Sequence, residues 1–495
     1  MTTRKEAENM SLGTAGCQDR RILYSFLWKY FERTGNQAVQ FVVQIVLARL
    51  LLPADFGVIA LLMVFISLAQ VFVQSGWGTA LVQAKNAEDV DFSSVFYLSL
   101  SVAGVLYLVL FISAPAIASF YRMHELINVL RVLSLILFFG AVNSIQNAVI
   151  ARGFKFKQLF YSSLGAIVLS GAIGVFLAYA GYGIWALVWQ QLTNSLFLCL
   201  IMWITVKWRP KLLFSLERLS RLFSYGWKLL VSGLLDTGYR EMQSLVIGKM
   251  FSPADLGFYN RGRMFPQVIV GNIDGSIQSV MMPALSQSQD DPRRIKEMMR
   301  RAITMSAFII APLMAGMIST AEPIVRIVLT EKWLPAVPFL RICCISFFFY
   351  PIHTANLTAI NAVGRSDIFL KLEIIKKLIG IAILAITIIF FRSVIAIAWS
   401  AVVSGASSTF INAYPNKRLI GYTYLEQIKD LMPSFLLSAF MGVIVYLVGL
   451  LPLDTYIKLI LQIITGAVVY TVLAWQFKIS SFTYLIGIID FEKRV

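Results

Sequence analysis

Apolar residues run in long blocks along this chain, each roughly 18 to 28 residues, with short polar stretches between them. A block of that length crosses a hydrocarbon core when helical, because each residue of an α-helix advances about 1.5 Å. About 14 such spans are predicted, near residues 22–51, 56–83, 92–113, 125–150, 159–179, 183–206, 222–249, 257–287, 302–329, 335–362, 367–391, 394–414, 429–450 and 455–477. The pattern therefore predicts an all-α polytopic membrane protein.

The pattern also repeats. Leu52-Pro53-Ala54-Asp55-Phe56-Gly57 returns as Ser252-Pro253-Ala254-Asp255-Leu256-Gly257, each time between two apolar blocks. Trp28-Lys29 recurs as Trp227-Lys228, and Arg49 meets Lys249. Farther along, Leu130-Arg131 faces Leu340-Arg341, and residues 148–153 face 359–364. Six spans separate the two starts. An even number returns the chain to the same side, so the two six-helix lobes are parallel repeats, an architecture of transporters. The expected organisation is an N-terminal tail (1–21), a first lobe of spans one to six (22–206), a basic connector (207–221) and a second lobe of spans seven to twelve (222–414). A loop (415–428), two extra C-terminal spans (429–477) and a tail (478–495) complete it. The connector is partly amphipathic and suits the surface of an anionic leaflet.

Polar residues inside the spans are patterned too. Arg33, Gln37, Gln40 and Gln44 fall at steps of four, three and four, one face of a helix, with Glu32 and Asn36 beside it. Span seven carries Asp236, Arg240, Glu241 and Ser244. Span eight carries Arg263, Gln267, Asp274 and Gln278, interrupted by Pro266, Gly271 and Gly275, which allow a bend. Span two contributes Ser67, Gln70 and Gln74, and spans four and ten place Arg131 against Arg341. Single Asn and Gln side chains serve well enough as interhelical glue, worth about 0.6 kcal/mol each. An Arg at mid-bilayer costs at least about 2.5 kcal/mol unless it meets water or a partner, so Arg33, Arg240 and Arg263 point to a hydrated cavity. Glu32 beside Arg33, and Asp236 one turn from Arg240, offer local neutralisation.

Composition agrees. The chain is 58% hydrophobic and 14% charged, with a mean hydropathy of +0.74, far from a soluble domain. Its formal charge of +17 invites a nucleic-acid reading. The basic residues, however, concentrate in the loops after even-numbered spans: Arg152, Lys155 and Lys157; Lys207 to Arg221; Arg293 to Arg301; Lys371 to Lys377; Lys417 and Arg418. That is the positive-inside pattern, placing both termini in the cytoplasm and arguing against nucleic acid as a partner. Residues 1–20 show no apolar core before a small-residue cleavage site, so no cleavable signal peptide is expected.

Chemistry that would make an enzyme is not legible. Cys17, Cys199, Cys343 and Cys344 form no CxxC pair, and His124 and His353 are too few for a metal site. The sequons at Asn9 and Asn356 fall in a cytoplasmic tail and inside a span. No nucleotide loop, nucleophile triad or cofactor motif is present, so no cofactor is expected and transport cannot draw on ATP in this chain.

The run from Trp28 to Gln83, with Glu32-Arg33, Gln40, Arg49, Pro53-Ala54-Asp55-Phe56-Gly57 and the Gln74-to-Gln83 stretch, resembles the N-terminal signature of Wzx-type polysaccharide flippases. These belong to the MOP superfamily, with the MATE multidrug exporters and the lipid II flippases. The resemblance covers essentially the whole chain. It implies a V-shaped pair of lobes that moves an undecaprenyl-diphosphate-linked oligosaccharide across a bacterial cytoplasmic (inner) membrane for surface polysaccharide synthesis. Membrane lipids, H+ or Na+, a polysaccharide polymerase and glycosyltransferases are the partners it implies. It also implies that spans 13 and 14 shelter a lipid tail. On that reading Arg33, Arg240, Arg263 and Arg341 bind substrate with Gln37, Gln40, Gln44, Gln267 and Gln278, while Tyr239 and Tyr259 suit sugar hydroxyls. Glu32, Asp236, Glu241 and Asp274 are the candidate ion carriers. A MATE-type cation/drug antiporter shares the fold but needs an acidic cavity, and these cavity candidates lean basic. A membrane glycan polymerase or ligase would want a large external loop or an acidic motif, and neither is seen.

Overall fold

Several helices start where the sequence supplies a side chain to cap them, as Ser215, Asp291, Thr423 and Asp454 do. The computed structural model describes residues 28–74, 76–84, 87–289 and 291–492. The expected N-terminal tail, the first residues of span one, Cys17 and the Asn9 sequon lie outside them. The chain is helical over residues 28–50 (α1), then runs through α2 (Pro53–Gln74), α3 (Trp77–Gln83), α4 (Asp89–Tyr121), α5 (Leu126–Leu133), α6 (Ile136–Gly153), α7 (Phe156–Tyr179) and α8 (Ile184–Thr205). There follow α9 (Leu216–Met250), α10 (Pro253–Ser286), α11 (Pro292–Ser319), α12 (Ala321–Val328), a 3-10 turn (Glu331–Ala336), α13 (Val337–Phe347) and α14 (Tyr350–Ala362). The last are α15 (Ser366–Phe391), α16 (Val394–Ala413), α17 (Asn416–Ile420), α18 (Tyr424–Gly449), α19 (Thr455–Gln476) and α20 (Ser480–Glu492). No strand occurs among the described residues.

The duplicated Pro-Ala-Asp is a helix-start device. Pro takes the first helical position, where its missing N–H costs nothing. Asp55 accepts the Leu52 N–H at 3.0 Å, and Asp255 accepts the Ser252 N–H at 3.1 Å. In the second copy Ser252 Oγ reciprocates by accepting from Asp255 N at 3.2 Å, closing a capping box that Leu52 cannot form. The other repeated stretch is a helix stop. Lys155 N–H donates to the Ile150 carbonyl and Arg365 N–H to the Ile360 carbonyl, both at 3.1 Å, the same backbone closure 210 positions apart.

Eleven helical stretches among the described residues are long and apolar enough to cross a membrane. The expected spans missing from that set are α1, α9 and α10, the three the sequence marks as most polar. They are long helices nonetheless: α9 has 35 residues and α10 has 34. The protein is a multi-pass, all-helical membrane protein.

Packing divides the chain into two compact units, one ending at Leu256 and the other beginning at Gly257. Helix α9 thus packs with the first unit, along α2, α3 and α4, one helix beyond the repeat boundary read from sequence. Gly76, at φ 88°, marks a close approach: a Cβ there would stand 2.4 Å from the Gly226 carbonyl oxygen. Trp77 stacks on Phe223 beside it, centroids 5.6 Å apart.

The connector is tied to the start of α4. Lys211 pairs with Asp89 at 2.6 Å, and Arg218 bridges Glu88 and Asp91 at 2.9 and 3.1 Å. The hydrogen bond to Glu88, and then the charge of Asp91, raise the Arg218 pKa. Leu212, Phe214 and Leu216 point outward from this strap and are exposed, which leaves an apolar edge for a membrane surface.

In the second unit α18 and α19 dock on α11, so the two extra helices belong to its core. Tyr470 donates to the Phe308 carbonyl at 2.9 Å, and Ser319 donates to the Gly442 carbonyl at 2.7 Å. Below them Asn356, Asn416 and Gln427, each fully buried, form an amide network with bonds of 2.6 to 3.1 Å. Burial removes Asn356 from any glycosylating enzyme. Lys296 reaches Glu426 at 3.0 Å, and Arg300 pairs with Asp430, which also accepts the Tyr422 hydroxyl at 2.8 Å. Burial first, then that bond, hold the Tyr422 phenol above its usual range.

Candidate functional site

In the first unit the sequence-predicted residues lie on α1 and α9. Glu32 takes Lys29 as its ion-pair partner at 2.7 Å and accepts from Asn36 at 3.2 Å; its side chain is 16% exposed. The same Asn36 amide donates to Ser163 Oγ at 2.6 Å, which fastens α1 to α7. Arg33 is exposed, while Gln37, Gln40 and Gln44 are half-buried along one face, as the spacing predicts. On α9, Asp236 and Arg240 form the expected pair at 3.3 Å, with side chains 51% and 59% exposed. Glu241 is half-buried and has no hydrogen-bond or ion-pair partner among the described residues.

In the second unit the candidates are on α10 and α13. Arg263 and Asp274 are half-buried, and Gln267 and Gln278 are exposed. Gln278 donates to Asp274 at 3.0 Å, so this carboxylate is held by a neighbour one turn away. Its counterpart on α2 makes a similar local bond, Gln74 to Gln70 at 2.7 Å. Helix α10 runs unbroken past Pro266 and Pro283.

Arg341 behaves differently. Its Nε donates to the Ile318 carbonyl at 3.2 Å, and its repeat partner Arg131 donates Nε to the Phe111 carbonyl at 3.3 Å. Each guanidinium therefore ties a short helix back to the preceding long one. Arg341 also lines a polar cavity with Glu322, Arg326, Lys458 and Gln462, none of which the span pattern singles out.

Arg261 is another residue the sequence reading passed over. It is 7% exposed on α10, with its guanidinium 5.9 Å from the Trp333 ring and Nη1 3.0 Å from Met264 Sδ. The signal was available in Arg261-Gly262-Arg263: a Cβ at Gly262 would lie 2.7 Å from Leu340 N, so glycine lets α10 and α13 approach around the buried Arg. Among the described residues no group of His, Cys, Asp and Glu is arranged to hold a metal ion.

The long helices, three of them with polar faces, define a multi-pass membrane protein. The chain shares its fold with a lipid II flippase, MurJ, in an inward closed conformation: TM-score 0.76, 15% identity, over 91% of this chain and 98% of that one. A multidrug resistance MATE family transporter of the MOP superfamily, inward-facing, aligns with TM-score 0.60 at 17% identity over 78% of this chain and 94% of its own. Residues 46–338 match the polysaccharide biosynthesis protein family, and the chain belongs to that family. Teichuronic acid biosynthesis protein TuaB of Bacillus subtilis (strain 168) is 25% identical over 81% of this chain and 84% of its own length.

Proposed function

We propose that this protein is a flippase that carries a lipid-linked oligosaccharide, joined through a diphosphate to an undecaprenyl-type carrier, from the inner to the outer face of a bacterial cytoplasmic membrane. The observation that carries the reading is the set of three long helices, α1, α9 and α10, less apolar than the other spans and bearing Arg33, Arg240 and Arg263, in a chain of the polysaccharide biosynthesis family. Guanidinium groups suit a diphosphate because they present paired N–H donors to paired oxygens. Gln37, Gln40, Gln44, Gln267 and Gln278 supply both donors and acceptors for sugar hydroxyls. Such a protein moves its substrate without making or breaking a bond, with its termini and basic loops on the cytoplasmic side.

The carboxylates divide by their partners. Glu32 and Asp236 are held in ion pairs and Asp274 by Gln278. Glu241 is left as the carboxylate best placed to accept a coupling proton or sodium ion. The pairing of Asp236 with Arg240 also works against a drug antiporter, which needs uncompensated negative charge to hold an organic cation.

The test is translocation in liposomes that contain the protein and a lipid-linked oligosaccharide, read by an external glycan-cleaving enzyme. Protein-dependent cleavage, lost in Arg240→Ala, supports the reading. Uptake of organic cations without cleavage refutes it.

A further inference from the structure

Two cavities in the second unit share one wall. The first, about 350 Å³, lies where α12 meets the end of α11, the start of α13, the end of α18 and the start of α19, and Arg326, Arg341, Lys458 and Gln462 line it. The second, also about 350 Å³, is largely apolar and is bounded by Met317, Met441, Gly466 and Tyr470. Gln462 lines both.

The charges of the polar cavity are unevenly matched. Arg326 is neutralised by Glu322 at 3.1 Å and Glu331 at 2.6 Å. Arg341 has given only its Nε to a carbonyl, and Lys458 has no carboxylate within ion-pair distance among the described residues, so two cations remain for an anion. Gln462 adds a second requirement. It is 1% exposed, its Nε2 donates to the Val445 carbonyl at 3.0 Å, and its Oε1 is buried without a donor among the described residues. A buried amide oxygen left unpaired is a standing cost that a donor would remove. The oxygens of an ionised phosphodiester only accept, so a donor elsewhere in the headgroup, such as a hydroxyl, would complete the site. The apolar cavity behind Gln462 adds a third requirement, a hydrocarbon chain.

We propose that the two cavities form a binding site for a resident anionic glycerol-phosphate lipid. Arg341 and Lys458 hold its phosphodiester, a headgroup hydroxyl donates to Gln462 Oε1, and an acyl chain fills the apolar cavity. This end of the unit is the one away from the basic loops, so the lipid comes from the outer leaflet. The site holds its lipid whether or not the protein moves a glycan, and its test is separate from translocation.

Full-length protein is extracted from vesicles of mixed phosphatidylglycerol and phosphatidylcholine, and native mass spectrometry reads the retained lipid. Wild-type protein retains one phosphatidylglycerol in preference to phosphatidylcholine. Lys458→Gln lowers that retention about fivefold, the worth of one basic residue at an anionic surface, and Lys458→Arg restores it. Gln462→Leu lowers the preference for the hydroxyl-bearing headgroup, and Arg341 and Lys458 keep the part due to charge. Equal retention of the two lipids, or unchanged retention in both Lys458→Gln and Arg341→Gln, overturns the proposal. Displacement by inorganic phosphate alone would make the site one for a free anion and overturns it too. Displacement by an equimolar lipid-linked diphosphate glycan would put the cavities on the transport path and overturn the resident role.

Discussion

Arg240 and Asp236 meet at 3.3 Å with both side chains more than half exposed. An exposed pair one helical turn apart is worth only about 0.3–0.5 kcal/mol, so the guanidinium can leave it for a diphosphate at little cost. Losing a charge-assisted contact costs about 1.5–3 kcal/mol, so Arg240→Ala is expected to slow translocation by roughly 10- to 100-fold. Arg240→Lys should fall between the two, since it keeps the charge and loses the planar fork; initial rates in liposomes check this. Glu241→Gln should abolish stimulation by a proton or sodium gradient while Asp236→Asn preserves it, because of the four candidate carboxylates Glu241 alone lacks a partner among the described residues. Equal loss in both would remove Glu241 from the coupling role. Helical spacing made the α1 stripe and the Asp236–Arg240 pair readable in advance. The buried Arg261 and the Gln462 wall were not, since each depends on which distant helix arrives alongside; Lys29, one turn before Glu32 on α1, obeys the same spacing rule but competed with the adjacent Arg33.

At the scale of elements, the repeated motifs turn out to be boundaries. A sequence can show that Pro-Ala-Asp occurs twice, but its chemistry emerges only when Asp55 and Asp255 are seen accepting the N–H three residues back. Asp255→Ala should therefore lower stability by about 1 kcal/mol, read as a drop in melting temperature in detergent, with transport per folded molecule unchanged. Leu52→Ser should do the opposite, by supplying the hydroxyl that Ser252 provides in the second copy. Gly76→Ala belongs to a harsher class. Its φ of 88° and the Gly226 carbonyl 2.4 Å from a Cβ force α3 and α9 apart, whereas Gly364→Ala, at φ 78° but in open space, meets only the local backbone cost of about 1–2 kcal/mol. A larger loss of melting temperature for Gly364→Ala than for Gly76→Ala would contradict this packing.

At the scale of the whole molecule, hydrophobic block length alone made the multi-pass, all-helical class readable. The three least apolar of the long helices, α1, α9 and α10, are the ones that carry the polar stripes. Less readable was the packing boundary. Repeat symmetry divides the chain before α9, while contacts join α9 to the first unit, because a repeat marks descent and a packing unit marks which surfaces fit. The charge asymmetry of the loops predicts that a cysteine introduced at Arg294 reacts with a membrane-impermeant thiol reagent only from the cytoplasmic side. Translocation tests the central claim most directly: proteoliposomes are loaded with a lipid-linked oligosaccharide, and its exposure to an external glycan-cleaving enzyme is followed over time. The account predicts exposure that requires the protein and collapses in Arg33→Ala, Arg240→Ala and Arg263→Ala. Normal exposure in all three folded variants, or none with the wild-type protein, would contradict it.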